Sequence, residues 1–356
     1  MSENKAALVF ADGAVFEGEA FGHVGEVSGV AVFYTGVVGY QELLTNPSYR
    51  GQVAVLTYPV IGSYGVNDAD NESPGVHPVG IVVREHSVHY SNFRATGGLE
   101  DFLKSNGVVG IREVDTRAVA VHLREHGQGR AAIVSGTFDA KQVVAELQAA
   151  GPGPARDLVA EVTWAGKRKA NGKAKRTIAL VNLGVKESLL GQLADLGCSV
   201  EVLEPSDAAE RLPATKTQGV ILAGGPGDPR ALQEVVETVK GLLGKAPVLG
   251  IGLGHQVLAL ALGCTVERMR VGHHGVNYPV KDVTGGPAAI TAQHHSYVMA
   301  RDNLPAGAAV THVNLNDETV EGICSKTAGA RGVQFHPGRD EMDRPSPILR
   351  QFCESV

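Results

Sequence analysis

Cysteine is scarce in this 356-residue chain: Cys198, Cys264, Cys324 and Cys353 all stand in its second half, without metal-ligand spacing. That scatter excludes a zinc-finger or disulfide-scaffold class and leaves buried thiols as the expected reading. Long apolar runs are also missing. No stretch of eighteen apolar residues occurs, so no transmembrane helix is expected. A basic surplus is absent as well: the formal net charge is -6, which argues against a general nucleic-acid binder. Met1-Ser2-Glu3-Asn4-Lys5 lacks the apolar core of a secretion signal, and the cytoplasm is the expected compartment. With 43% hydrophobic and 20% charged residues, the chain has an ordinary globular composition and length enough for about two domains.

The most telling absence is a single side chain. Ala246-Pro247-Val248-Leu249-Gly250-Ile251 reads as a buried strand, and Gln256 to Leu262 as an apolar helix ending at Gly263. Between them, Gly250-Ile251-Gly252-Leu253-Gly254-His255-Gln256 has glycines two before and two after its centre. A nucleophile elbow needs that spacing, because its strained turn excludes flanking side chains while lifting the central one toward substrate. The centre should be Ser or Cys, and it is Gly252. A dinucleotide-binding turn fits less well: the spacing is G-x-G-x-G, and no ribose-binding acid follows about twenty positions on. From the turn alone, an elbow and a plain tight turn remain equally open.

Ala6 to about Gly136 carries short β-type runs punctuated by glycine, such as Val30-Ala31-Val32-Phe33 and Val53-Ala54-Val55-Leu56, and reads as a β-rich α+β domain. Helices are expected near Leu99 to Asn106, from Thr116 to His126 behind an Asp115 cap, and from Ala140 to Ala149. Gly151-Pro152-Gly153-Pro154 breaks the chain. Six basic residues in ten between Lys167 and Arg176 read as a solvated connection. The expected organisation is therefore residues 1–150, a linker at 151–176, and a second domain at 177–356. In that second domain strand, turn and helix alternate, which implies a parallel sheet with its ligand crevice at the carboxyl ends of the strands. Gly224-Gly225-Pro226-Gly227-Asp228-Pro229 and the Gly252 turn both sit at such ends.

Those two glycine motifs, followed by Gln334-Phe335-His336-Pro337, resemble the class I glutamine amidotransferase domain. The first half narrows the resemblance: Asp12-Gly13, Phe16-Glu17-Gly18, Gly39-Tyr40-Gln41-Glu42, Thr45-Asn46-Pro47-Ser48-Tyr49, Asn67, Asn71-Glu72-Ser73 and Val114-Asp115-Thr116-Arg117 are similar to the small subunit of carbamoyl-phosphate synthase. The likeness runs from about Ala7 to Phe352. It implies an α/β protein with a β-rich, swivelling β/β/α N-terminal domain and a flavodoxin-like C-terminal glutaminase. It also implies a partner: a large subunit that receives ammonia through a tunnel and joins it to bicarbonate with ATP. No cofactor is implied for the glutaminase step. That step uses a cysteine thiolate against the side-chain amide, an imidazole to move the proton, a carboxylate to orient the imidazole, and backbone N–H groups for the oxyanion.

Carried over position by position, the resemblance puts the nucleophile on Gly252, the histidine on His336 and the triad glutamate on Gly338; only the histidine is present. The substrate pocket falls on Gly36, Gly225, Gly227, Leu253, Gln256, His294, Ser296 and Tyr297. Of these, the family's Q-N-H-G-F stretch reads Gln293-His294-His295-Ser296-Tyr297, and its T-S-M-T-G-Y stretch reads Thr35-Gly36-Val37-Val38-Gly39-Tyr40. Together the changes read as drift after glutamine hydrolysis stopped mattering, with weakened glutamine binding. Losing the nucleophile alone costs on the order of a million-fold in rate, about 8 kcal/mol of barrier. No other thiol is expected to substitute; Cys264, for one, lies past the elbow helix. His294 and His336 are expected to line the emptied pocket near His295, but inheritance from the family explains His295 and His336 better than a metal site does. Gly272-His273-His274-Gly275 and Asn277-Tyr278-Pro279-Val280-Lys281 read as fold and subunit-contact residues. The expected function is a glutaminase-dead small subunit serving an ammonia-dependent large subunit. The alternative is a non-catalytic binding or scaffold protein that uses the altered crevice for another ligand.

Overall fold

The computed structural model describes residues 4–151, 157–214, 216–302 and 304–356. Met1, Ser2, Glu3 and the Pro152-Gly153-Pro154 part of the expected break lie outside the described residues. The chain divides into two units, Met1–Arg156 with Arg270–His274, and Asp157–Met269 with Gly275–Val356.

In the first unit a closed barrel runs through strands Lys5–Phe10, Val15–Gly22, Val109–Arg112, Gly80–Val82, Gln52–Leu56, Val27–Tyr34 and Arg130–Ser135, the last pairing back to the first. The alternation of each strand sorts its side chains between two cores. Ala6, Leu8 and Phe10 join Val53, Val55, Val82, Ile111 and Ile133 in one cluster, while Ala7 and Val9 pack with Val143 and Leu147 of helix Ala140–Ala149. Helix Thr116–His126 is held at its start by the Asp115 carboxylate, which accepts from the Ala118 amide at 3.0 Å. It buries Val119 and Leu123 in the first cluster.

The second unit is built on a ten-stranded sheet. Its parallel part is ordered Cys198–Leu203, Arg176–Val181, Gly219–Leu222, Val248–Ile251, Ala330–Val333. These strands are apolar runs because both faces are covered. Helices Glu187–Asp195 and Pro347–Glu354 bury Leu189, Leu190, Leu193, Leu349 and Phe352 on one face; helices Gln233–Leu242 and Leu253–Leu262 bury Val235, Val239, Val257 and Leu258 on the other. Beyond Ala330–Val333 the sheet continues antiparallel through Val320–Ser325, Ala288–Met299, Val266–Asp282 and Ala308–Asn314. At the opposite edge Gly166–Arg168 pairs antiparallel with Cys198–Leu203, so part of the basic stretch forms a short strand. Lys167 and Arg168 stay exposed there, as charged residues on an edge strand do.

Candidate active site

Four neighbouring parallel strands deliver their carboxyl ends to one rim of the second unit. Gly219–Leu222 leads into the Gly224-to-Asp228 loop, Val248–Ile251 into Gly252, and Ala330–Val333 into Gln334-Phe335-His336, with Arg176–Val181 leading into Asn182 to Lys186 beside them. The Gly252 amide donates to the Val333 carbonyl at 2.9 Å, and the Gly254 amide to the Ala223 carbonyl at 3.1 Å. The turn is thus tied to both adjoining loops.

Backbone sterics give each glycine of the turn a separate reason. A β-carbon on Gly250 would lie 2.6 Å from the Gly254 carbonyl oxygen, and one on Gly254 would lie 2.2 Å from the Leu222 carbonyl oxygen. Neither position accepts a side chain. At Gly252 the nearest atoms to a β-carbon would be the Gly224 Cα at 3.5 Å and the Gln334 carbonyl oxygen at 3.8 Å, which is ordinary contact distance. Gly252 has φ 57 and ψ -116, the kind of strained backbone found at functional turns. The centre of the turn therefore has room for a side chain where its flanks have none. Gly225 is equally constrained, since its β-carbon would fall 1.8 Å from the Leu183 carbonyl oxygen, and Gly227 turns with φ +95. Helix Leu253–Leu262 then runs buried until Gly263, at φ 94, ends it in the left-handed region.

His336 is fixed by its backbone: its amide donates to the Ala292 carbonyl at 2.9 Å, forming an antiparallel bridge to strand Ala288–Met299. Its Nε2 lies 3.3 Å from Ser188 Oγ, on helix Glu187–Asp195. The following Pro337 carbonyl accepts from Gln192 Nε2 at 3.0 Å, and Gln192 Oε1 accepts from the Ser346 amide at 2.8 Å. This buried glutamine clamps the loop. A β-carbon on exposed Gly338 would meet nothing within 4 Å, so the position has room for a side chain.

The pocket positions divide. Leu253 buries its side chain in the core, which leaves its backbone as what it can offer the crevice. Buried Gln256 donates through Nε2 to the Tyr297 carbonyl at 2.8 Å and to Gln334 Oε1 at 3.0 Å, fastening the helix to strand Ala288–Met299 and to the His336 loop. On that strand Gln293 and His295 are buried, whereas Ala292, His294, Ser296 and Tyr297 are partly exposed. The period of two therefore sends His294 and His295 to opposite faces. His295 Nδ1 is 2.9 Å from the Tyr297 carbonyl, and its Nε2 is 3.2 Å from Gln293 Oε1. Among the described residues, no cluster of three metal-ligating side chains includes His294 or His336. Gly36 belongs to the first unit, where a β-carbon would fall 2.4 Å from the Tyr34 ring. The space for a serine side chain is already filled by that buried tyrosine.

Two features escaped sequence reasoning. Ser188 comes to His336 from 148 positions away, and no local pattern announces such a pairing. Arg230 clasps the Asp228 carboxylate, with Nη2 2.6 Å from Oδ2, and stands 5.5 Å over the Tyr297 ring. Burial and the Asp228 charge push the Tyr297 hydroxyl above the usual tyrosine range. An Asp-Pro-Arg run after the glycine loop was the available signal, since Asp228 caps the short helix Pro229–Ala231. Cys264 follows the elbow helix, burial raising its thiol; Cys198 and Cys353 face each other in the core with sulfurs 3.5 Å apart.

Residues 8–133 match the family described as carbamoyl-phosphate synthase small chain, CPSase domain, and residues 179–355 match glutamine amidotransferase class-I. A carbamoyl phosphate synthase small chain from Syntrophotalea carbinolica is 41% identical over 347 residues, covering 94% of this chain and 92% of the relative. One from Bacillus caldolyticus is 40% identical over 354 residues, covering 99% and 96%. Among solved structures, a glutamine amidotransferase from Thermotoga maritima aligns with TM-score 0.38 and 23% identity over 45% of this chain and 75% of its own. With both halves matched in order and the relatives aligned nearly end to end, the chain belongs to the carbamoyl-phosphate synthase small-chain family.

Proposed function

We propose that this chain is a small subunit that has lost glutamine hydrolysis and supports a large subunit working from free ammonia. The observation carrying the reading is the Gly252 turn. Its flanking glycines are sterically required and its backbone is held in the strained elbow form, yet its centre has contact-distance room and no reactive atom. A hydrogen atom cannot form the thioester through which the family hydrolyses its amide. Gly338 supports the same reading, because no carboxylate stands at the position from which the family's triad glutamate would hold the imidazole's tautomer and stabilise its cation. Serving a large subunit follows from family membership and from the kept first unit. Co-expression with a large subunit tests this: the two chains should co-purify, and ammonia-dependent carbamoyl phosphate formation should change when this chain is present. Failure of both contradicts the proposal.

A second reading, a binding or scaffold role for the remodelled crevice, draws on the Arg230–Asp228–Tyr297 group of the second unit. Thermal shifts across glutamine, glutamate, other amino acids and divalent metals would support it, and a flat response would count against it.

A further inference from the structure

The first unit holds a cluster that the amidotransferase chemistry does not use. Strands Lys5–Phe10 and Val15–Gly22 are joined by a tight hairpin in which Asp12 Oδ1 accepts from the Ala14 amide at 3.1 Å. That hydrogen bond leaves Oδ2 directed at helix Thr116–His126, where it lies 3.0 Å from His122 Nε2. One helical turn on, His126 stacks against His122 with ring centroids 4.5 Å apart and planes 25° apart. The His126 Nδ1 is 3.0 Å from the His122 carbonyl oxygen; donation from that nitrogen leaves the Nε2 lone pair turned outward. Phe10 and Phe16 wall His122, with centroids at 4.7 and 5.9 Å. One ligand atom from each of Asp12, His122 and His126 lies within 4.8 Å of the other two.

We propose that Asp12, His122 and His126 bind one divalent transition-metal ion, Zn2+ first among them, bridging the hairpin to the last turn of the helix. Donor type selects the class: two imidazoles and one carboxylate suit Zn2+, Co2+ or Ni2+, whereas Ca2+ and Mg2+ want oxygen throughout. Separation fits too, since ligands about 2.0–2.1 Å from a tetrahedral zinc lie roughly 3.3 Å from each other. The Asp12–His122 contact is already at that scale, and a small rotation of His126 closes the set. The outer contacts are those of a metal site: the ligating carboxylate is fixed by an amide through its other oxygen, and a ligating imidazole is oriented by a carbonyl through its other nitrogen. A simple ion pair accounts for the 3.0 Å contact, but not for the second imidazole stacked beside it with its Nδ1 tied back to the helix. Asp12 and His126 are exposed, which gives the ion an entry path and leaves a fourth position for water.

The test uses the full chain after chelator treatment. Titration with Zn2+ followed by calorimetry should show one equivalent bound, and Co2+ should give the visible absorption bands of a tetrahedral site. His126→Gln and Asp12→Asn should each weaken Zn2+ binding by at least about tenfold, with the melting temperature of the metal-free protein unchanged because both positions are on the surface. Neither Zn2+ heat nor Co2+ bands in the parent chain would overturn the proposal. So would binding untouched by the two substitutions, which would place the ion on others of the 13 histidines. Loss in His126→Gln but not in Asp12→Asn would reduce the site to a histidine pair and overturn the three-ligand assignment.

Discussion

His336 Nε2 lies 3.3 Å from Ser188 Oγ on helix Glu187–Asp195, so the imidazole meets a hydroxyl there. Ser188 stands on that helix and not on the strained Gly252 turn, and position 338 is glycine, so on the proposed reading this serine is not an activated nucleophile. Treatment of the full chain with a fluorophosphonate probe should leave Ser188 unmodified. A labelled peptide containing Ser188 would show an activated serine.

Gly252→Cys should fold but not turn over. The new β-carbon meets only ordinary contacts, but a side chain at φ 57 and ψ -116 costs about 1–3 kcal/mol. Position 338, where the family carries its triad glutamate, would still be glycine. Adding Gly338→Glu, for which there is open space, should raise glutaminase activity above the single variant while leaving it well below that of intact relatives, since His294 and Ser296 remain. Normal turnover in Gly252→Cys alone would contradict this account of the pocket.

The three glycines of the elbow region should respond differently to alanine. Gly225→Ala and Gly254→Ala drive a β-carbon to 1.8 and 2.2 Å from carbonyl oxygens, which backbone must move to relieve, and each should lose about 3 kcal/mol or more. Gly252→Ala meets no such atom and should lose less. Denaturant melts of the three variants check the order; equal losses would mean that the centre of the turn is as crowded as its flanks.

His255 sets an acid limb on stability. Its imidazole is fully buried on the elbow helix, neither ring nitrogen has a hydrogen-bond partner, and burial pushes its pKa down from 6.5 to about 3. Above pH 6.5 it is neutral in both states. Between 6.5 and 3 the unfolded chain takes up a proton that the folded chain refuses, so stability falls as pH falls. From about pH 7 to about pH 5 this single group should remove about 2 kcal/mol, and His255→Leu should show a smaller loss over the same interval in denaturant melts. An unchanged pH dependence would assign the acid limb to other groups.

Much of the site-bearing architecture is legible in local pattern. The strand before Gly252 and the helix after it follow from an apolar run, a glycine-spaced turn and a terminal glycine, and they appear as Val248–Ile251 and Leu253–Leu262. Thr116–His126 and Ala140–Ala149 are readable because Asp115 and Asp139 cap them. Helix Gln233–Leu242 begins only after a short 3-10 turn that Asp228 and Pro229 set. Helix Pro205–Ala214 between two strands, and the C-terminal helix Pro347–Glu354, escape local reading; both are short and start at proline, and the second shows only Leu349, Phe352 and Cys353 as its buried face. Barrel closure is beyond local pattern altogether, because it depends on Lys5–Phe10 pairing with Arg130–Ser135 from the far end of the domain. The same limit hides Ser188 from His336, and Asp12 from His122.

Incubating the complete chain with glutamine, quenching in acid and measuring the intact mass tests the central claim most directly. Whether or not a large subunit is present, the mass should remain that of the unmodified polypeptide at every time point. A covalent γ-glutamyl adduct on any residue of this chain would contradict the account.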